Sequence, residues 1–150
     1  MSVRLSHAES WAELAGAHTG ILTTLRSDGV PISLPVWFVA LDERIYVGGP
    51  ARTRKVARVR RDPRCSFLVE SGERWAELRA VHLTGSAAVV DDPSLVARVG
   101  AALDAKYAAF RTARASMAEA TLAHYDTERA VIEVTPDDRI LSWDNARLEL

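Results

Sequence analysis

Apolar residues recur along this chain with two different periods, and the switching between them predicts its elements. Ser6-His7-Ala8-Glu9 reads as a capping box, in which the Ser side chain accepts from a backbone N–H and the Glu side chain reaches back. A short helix is expected after it, with Trp11, Leu14 and Ala15 inward, ending near 16–20. Alternation by two then takes over. Gly20–Arg26 reads as a strand, Ser27-Asp28-Gly29 as a hairpin turn and Pro31–Ala40 as the returning strand. Leu41-Asp42-Glu43-Arg44 turns the chain into the strand Ile45–Gly49. A helix over 53–61 stops at Asp62-Pro63, because proline disfavours helical backbone in the residue before it. Cys65–Glu70 is a further strand, Ser71-Gly72-Glu73 a turn, and Trp75–Val90 a long strand or hairpin arm, bent at Gly85. Asp91-Asp92-Pro93 supplies a cap and a first-turn proline, and Val96, Val99 and Leu103 follow at helical spacing toward Tyr107. A second helical stretch is expected at 112–125, carrying Met117, Ala120 and Leu122, before strands at 130–135 and 140–143. Six or seven closely spaced antiparallel strands, with helices inserted at 53–61 and 93–125, predict a mainly β (α+β) fold of barrel type.

Length and composition narrow this only a little. A chain of 150 residues, 48% hydrophobic and 26% charged, suits one globular domain with its own core, here residues 1–150. The net charge of −1 gives no general affinity for nucleic acid or anionic membrane. Cys65 is the only cysteine, which excludes an intrachain disulfide and a cysteine-based metal site; its apolar neighbours predict a buried, unreactive thiol. The N-terminus shows no signal-peptide pattern and no apolar run reaches membrane-spanning length, so a cytoplasmic location is expected.

Local charge changes the picture more. Ala51-Arg52-Thr53-Arg54-Lys55-Val56 follows directly on Gly48-Gly49-Pro50, and Arg58, Arg60, Arg61 and Arg64 come next. Thr53 caps the helix, which places Arg54 and Lys55 in its first turn. Cations there oppose the helix dipole, yet the free N–H groups of that end favour an anion. A phosphate bound there would reconcile the two. The alternative is a solvated basic face that packs through Val56 and Val59. Nucleic-acid binding competes for the same stretch, but the aromatic residues lie elsewhere and the rest of the chain is acidic on balance. His7, His18, His82 and His124 lack metal-ligand spacing, so no metal is expected. His82 alternates with Val81 and Leu83, as a core or interface residue does. Asp91-Asp92 and Asp137-Asp138 sit beside prolines and suit turns or caps. In Pro31-Ile32-Ser33-Leu34-Pro35-Val36-Trp37-Phe38, two prolines argue for an edge strand or a bulge with free backbone groups. A flat ring could bond such an edge, with Trp37 as a wall; Trp37 as core packing is the competing reading.

Taken in order, several segments resemble the flavin/deazaflavin split-barrel superfamily, the pyridoxamine 5'-phosphate oxidase-like proteins. They are Gly20–Gly29, Pro35-Val36-Trp37-Phe38, Arg54-Lys55 with Arg60-Arg61-Asp62-Pro63-Arg64, Glu77–Gly85 and Ser142-Trp143-Asp144-Asn145. The likeness is greatest to the branch that uses the deazaflavin coenzyme F420. The resemblance implies a split β-barrel, a homodimer and a cofactor groove at the subunit interface. It implies a phosphate held by Thr53, Arg54 and Lys55, and a ring along Ser33, Pro35, Val36 and Trp37. Gly48 and Gly49 would admit the cofactor closely, with Arg79 and Trp143 as further contacts. The implied activity is hydride transfer between F420 and a small organic acceptor. No catalytic residue is assigned; Tyr46, Tyr107 and His82 are candidate proton donors, and structural roles suit them better. FMN-dependent oxidases and non-enzymatic flavin, deazaflavin or haem binders share the superfamily. Pyridoxamine phosphate oxidases carry further arginines toward the C-terminus, where this chain reads Asp144-Asn145-Ala146-Arg147-Leu148-Glu149-Leu150.

Overall fold

The structure is a computed structural model and describes residues 2–148; Met1, Glu149 and Leu150 lie outside the described residues. Seven strands carry the fold: β1 Gly20–Leu25, β2 Pro31–Val36, β3 Val39–Leu41, β4 Arg44–Pro50, β5 Arg64–Ser71, β6 Arg79–Val89 and β7 Arg129–Asp144. All pair antiparallel in one sheet of order β2-β1-β5-β6-β7-β4-β3. Strands β2 and β3 are consecutive in the chain, yet they are the two opposite edges of the sheet. Only Trp37 and Phe38 join them. Three Cα–Cα steps span at most about 11 Å, so the sheet has to curl until its edges approach, which gives a curled half-barrel.

The expected strand Pro31–Ala40 is therefore two strands, broken where the chain passes from one edge to the other. The segments 130–135 and 140–143, in contrast, are parts of the single strand β7. Its register against β6 shifts between Leu83 and Gly85, where Asp137, Asp138 and Arg139 bulge opposite Thr84 and Asp137 accepts from the Thr84 hydroxyl at 2.9 Å. Strand β6 begins at Arg79, later than expected, after a 3-10 turn over Trp75–Glu77.

Four α-helices flank the sheet: α1 His7–Gly16, α2 Arg54–Arg61, α3 Pro93–Tyr107 and α4 Glu119–Tyr125. The capping box of α1 is formed, with Ser6 N donating to Glu9 Oε2 at 2.7 Å and Glu9 N to Ser6 Oγ at 3.2 Å. Leu14 is buried, but Trp11 is only half-buried and Ala15 is exposed, with Ser10 taking the inward position instead. The helix expected over 112–125 shrinks to α4, preceded by a 3-10 turn at Arg114–Ser116. Met117 and Leu122 are half-buried and Ala120 is exposed. A helix with so little apolar surface to bury lacks the tertiary packing that sustains short helices.

Inside the curl, Leu22, Phe38, Ile45, Phe67, Val81, Leu83 and Ile132 form the main core, and α2 closes it with Val56 and Val59. On the outside, α3 lays Val99, Leu103 and Tyr107 over Val39, Tyr46 and Val131 as a second core. No helix among the described residues is long and apolar enough to cross a membrane.

A side chain at Gly85 would collide with the neighbouring backbone, since a Cβ there would lie 2.2 Å from the Thr135 carbonyl oxygen. Gly85→Ala is expected to destabilise the fold by about 2 kcal/mol. Urea unfolding measures this, and an unchanged midpoint would refute the bulge packing described here.

Candidate functional site

Helix α2 begins with an unmet hydrogen bond. Thr53 has N-cap backbone angles, but its side chain makes no capping bond, and its hydroxyl oxygen is buried without a partner. A buried polar group left this way costs about 1–3 kcal/mol, so the position invites a ligand atom. Arg54 and Lys55 follow in a first turn that holds no acidic residue. Lys55 folds back over β4, where a Cβ on Gly49 would sit 3.0 Å from its Nζ. Burial first, then the nearby Arg129 and Arg58, hold its amine below the usual lysine range.

Arg58 sharpens the case. It is only 8% exposed, and its Nε donates to Thr24 Oγ1 of β1 at 2.8 Å. Burial and the flanking Arg54 and Arg61 lower its pKa. Among the described residues no carboxylate pairs with Arg54, Lys55, Arg58 or Arg61. A buried cation without a counter-charge is costly. Arg54, Arg58 and Arg61 recur at i, i+4 and i+7, and so form one stripe ~10 Å long on the helix. They line a groove of about 750 Å³ together with Thr53 and Lys55. Its other wall is Arg26 and Ser27 after β1 and Ile32 and Leu34 of β2.

Strand β2 is an edge, as its prolines predict, so its outer backbone groups have no ladder partner. Ile32 and Leu34 face the groove. Ser33 points the other way, its hydroxyl bonded to Thr23 Oγ1 at 2.7 Å, and Pro35 shares that side by alternation. Val36 is in the core. Trp37 is 37% exposed and stacks flat on Tyr107, with ring centroids 4.3 Å apart and planes 2° from parallel.

The two glycines of β4 lie close to side chains from other elements. The space over Gly48 belongs to Leu103 of α3, whose Cδ1 would lie 3.0 Å from a Cβ there, and the space over Gly49 belongs to Lys55. Both admit parts of this chain closely. Arg79 is also placed apart. It pairs with Glu13 at 2.8 Å and Asp144 at 3.4 Å, and lines a second hollow of about 470 Å³ with Glu13, His18 and Glu70. Trp143 lies opposite Ala80 of that hollow, half-buried. Within one chain, then, Thr53, Arg54, Lys55 and the β2 edge come together, while Arg79 and Trp143 do not join them.

No candidate proton donor lines the basic groove. The Tyr107 hydroxyl accepts from Phe38 N at 2.9 Å and donates to the His18 carbonyl at 2.7 Å. Tyr46 donates to Glu133 at 2.9 Å. His82 is half-buried on the outer face of the sheet. Cys65 is half-buried and its thiol is pushed up to about 11, chiefly by burial, which suits an inert residue. Arg58, Arg61, Arg26 and Thr24 escaped the sequence reading as site residues. The helical spacing of Arg54, Arg58 and Arg61 was a visible signal; the contact of Arg58 with Thr24 was not.

A family model for pyridoxamine 5'-phosphate oxidase matches residues 7–142. No curated protein matches the chain. Among solved structures, the conserved hypothetical protein Rv2991 from Mycobacterium tuberculosis is 29% identical, with 97% of this chain and 88% of that chain covered and a TM-score of 0.81. An F420 reductase is 20% identical, covering 87% of this chain and 94% of its own, with a TM-score of 0.64. HutZ, the haem storage protein from Vibrio cholerae, is 15% identical, covering 95% and 96%, with a TM-score of 0.70. The last two likenesses speak for the fold alone.

Lys106, near Tyr107, offers a test of this region. Its Nζ donates to the Phe38 carbonyl at 2.9 Å and lies 3.9 Å from the Phe38 ring centroid, and burial lowers its pKa to about 8. Between that value and the ordinary lysine pKa of about 10.4, the unfolded chain holds more protons than the folded one. Stability should therefore rise with pH across this window. Relative to Lys106→Met, the wild-type unfolding free energy is expected to increase from pH 8 to pH 10; parallel profiles would contradict the burial of this amine.

Proposed function

Because the chain belongs to the pyridoxamine 5'-phosphate oxidase family, we propose that it is an oxidoreductase that binds the deazaflavin F420 and acts on a small organic acceptor. The observation that carries this reading is the buried, carboxylate-free Arg58 beside the orphaned Thr53 hydroxyl and Lys55. A phosphate suits this set: it accepts from Thr53, from the backbone N–H groups of the first turn of α2, and from Lys55 and Arg54. Arg58, fixed by Thr24, supplies charge from behind. The ring would bond the free edge of β2 through backbone atoms of Ser33, Pro35 and Val36, with Trp37 at the end of that edge. When bound, the deazaflavin supplies hydride chemistry. The chain itself binds and orients; no side chain in the groove is assigned a proton-transfer role.

FMN presents the same phosphate and is the second reading. Pyridoxamine phosphate oxidation is disfavoured, because Arg147 is already held by Glu9 at 2.6 Å, by Asp144 at 3.3 Å and by the Arg4 carbonyl at 3.0 Å. A homodimer is part of the proposal. Ile21, Leu68, His82 and Leu141 lie in register across four strands on the outer face, and Leu141 is 52% exposed. We assign this mainly apolar row to a second copy. Arg79 and Trp143 would join a cofactor site only across such an interface.

Parallel titrations of the purified protein with F420, FMN and haem test the reading. Selective F420 binding is expected, with Lys55→Ala and Arg58→Met each weakening it by about 1–3 kcal/mol. Selective haem binding, or unchanged F420 affinity in both variants, would overturn it.

A further inference from the structure

Trp37 stands three residues beyond Leu34, ~10 Å further along the strand direction than the basic groove. Its indole is fixed. One face is stacked on Tyr107, a fully buried residue whose hydroxyl is tied to the backbone of Phe38 and His18. The rest of the ring remains partly open to solvent. His18 sits edge-on to this pair, with its ring centroid 6.1 Å from that of Trp37 and 5.3 Å from that of Tyr107. Phe110, in the 3-10 turn Ala108–Phe110 that follows α3, approaches His18 at 4.5 Å and is 60% exposed. Arg111 lies over the Trp37 ring, its guanidinium carbon 5.8 Å from the centroid. Arg111 pairs with Asp104, but both side chains are exposed and such a pair is weak and exchangeable. His18 also lines the neighbouring hollow of about 470 Å³.

Exposed aromatic rings grouped around an immobilised one are poorly solvated, and they offer stacking and edge contacts at little entropic cost. A displaceable cation over one of them selects a ring with an anionic substituent. We propose that Trp37, His18 and Phe110 form a binding subsite for a flat aromatic acid whose carboxylate faces Arg111. Under the proposed function, on which this role rests, the subsite receives the organic acceptor beside the ring-binding edge of β2. The binding itself requires only the corner.

The test uses 2-naphthoate and its neutral analogue 2-naphthamide as probes, titrated against the full chain, with and without F420, by ligand-observed NMR. Phe110 and Arg111 are surface residues, so Phe110→Ala and Arg111→Gln should fold. Saturable naphthoate binding is expected in the wild type, at least fivefold weaker in Phe110→Ala. Arg111→Gln should keep naphthamide affinity and lose at least threefold of the preference for naphthoate. F420 affinity should stay within twofold in both variants. No saturable naphthoate binding in the wild type, or equal binding in wild type and Phe110→Ala, overturns the subsite. So does equal affinity for acid and amide. Absence of F420 binding in the wild type would instead strike the cofactor reading, and the cofactor-free titration would still decide the subsite.

Discussion

The link Trp37-Phe38 carries the chain from one edge of the seven-stranded sheet to the other, and the rest of the structure is arranged around that short reach. The two residues point opposite ways. Phe38 enters the core, fully buried and edge-on to Phe67 at 4.8 Å, while Trp37 stays outside on Tyr107. Their backbone leaves the ladder, so its polar groups need other partners. The last turn of α3 provides them: the Tyr107 hydroxyl takes the Phe38 N–H, and Lys106 donates to the Phe38 carbonyl. The helical segment after β6 thus serves the closure of the sheet as well as covering its outer face.

Closure also creates the groove. With its edges drawn together, the sheet leaves one end for α2 to fill through Val56 and Val59, and this sets the basic stripe of α2 opposite the edge of β2. Arg58 cannot avoid burial in that position. Its bond to Thr24 satisfies one donor and leaves its charge uncompensated by protein. An anion in the groove would add stability as well as affinity, because whatever binds the folded chain alone shifts the folding equilibrium.

Local signals in the sequence survive well in this fold. The Ser6–Glu9 capping box, the turn at Ser27-Asp28-Gly29, the Asp62-Pro63 helix stop and the irregularity at Gly85 each depend on a few adjacent residues, and each is present. The edge position of β2 was legible for the same reason, since proline lacks the N–H that an inner strand must give. What failed was non-local. Nothing in Val36-Trp37-Phe38-Val39 marks a passage between opposite edges, because aromatic and β-branched residues favour strand either way. The neighbours of Gly48 and Gly49, Leu103 and Lys55, come from other elements and could not be read locally either. Arg58 looked like one more surface cation until β1 covered it. Arg79 and Trp143 came from resemblance alone, and one chain does not bring them to the groove.

The burial of Arg58 also discriminates among the readings of the basic stretch. A solvated face needs its cations in water, and a nucleic-acid surface needs them presented outward to a long phosphate backbone. Arg52 and Arg60 are exposed and suit either role. Arg58 suits neither, because it is buried against Thr24 of β1 and lines a groove of about 750 Å³. Under the proposed function, that position serves a single phosphate on a small molecule. The same stripe that looks like a general polyanion site in sequence is, under the proposed function, a site for a small anionic ligand, with one buried arginine behind it.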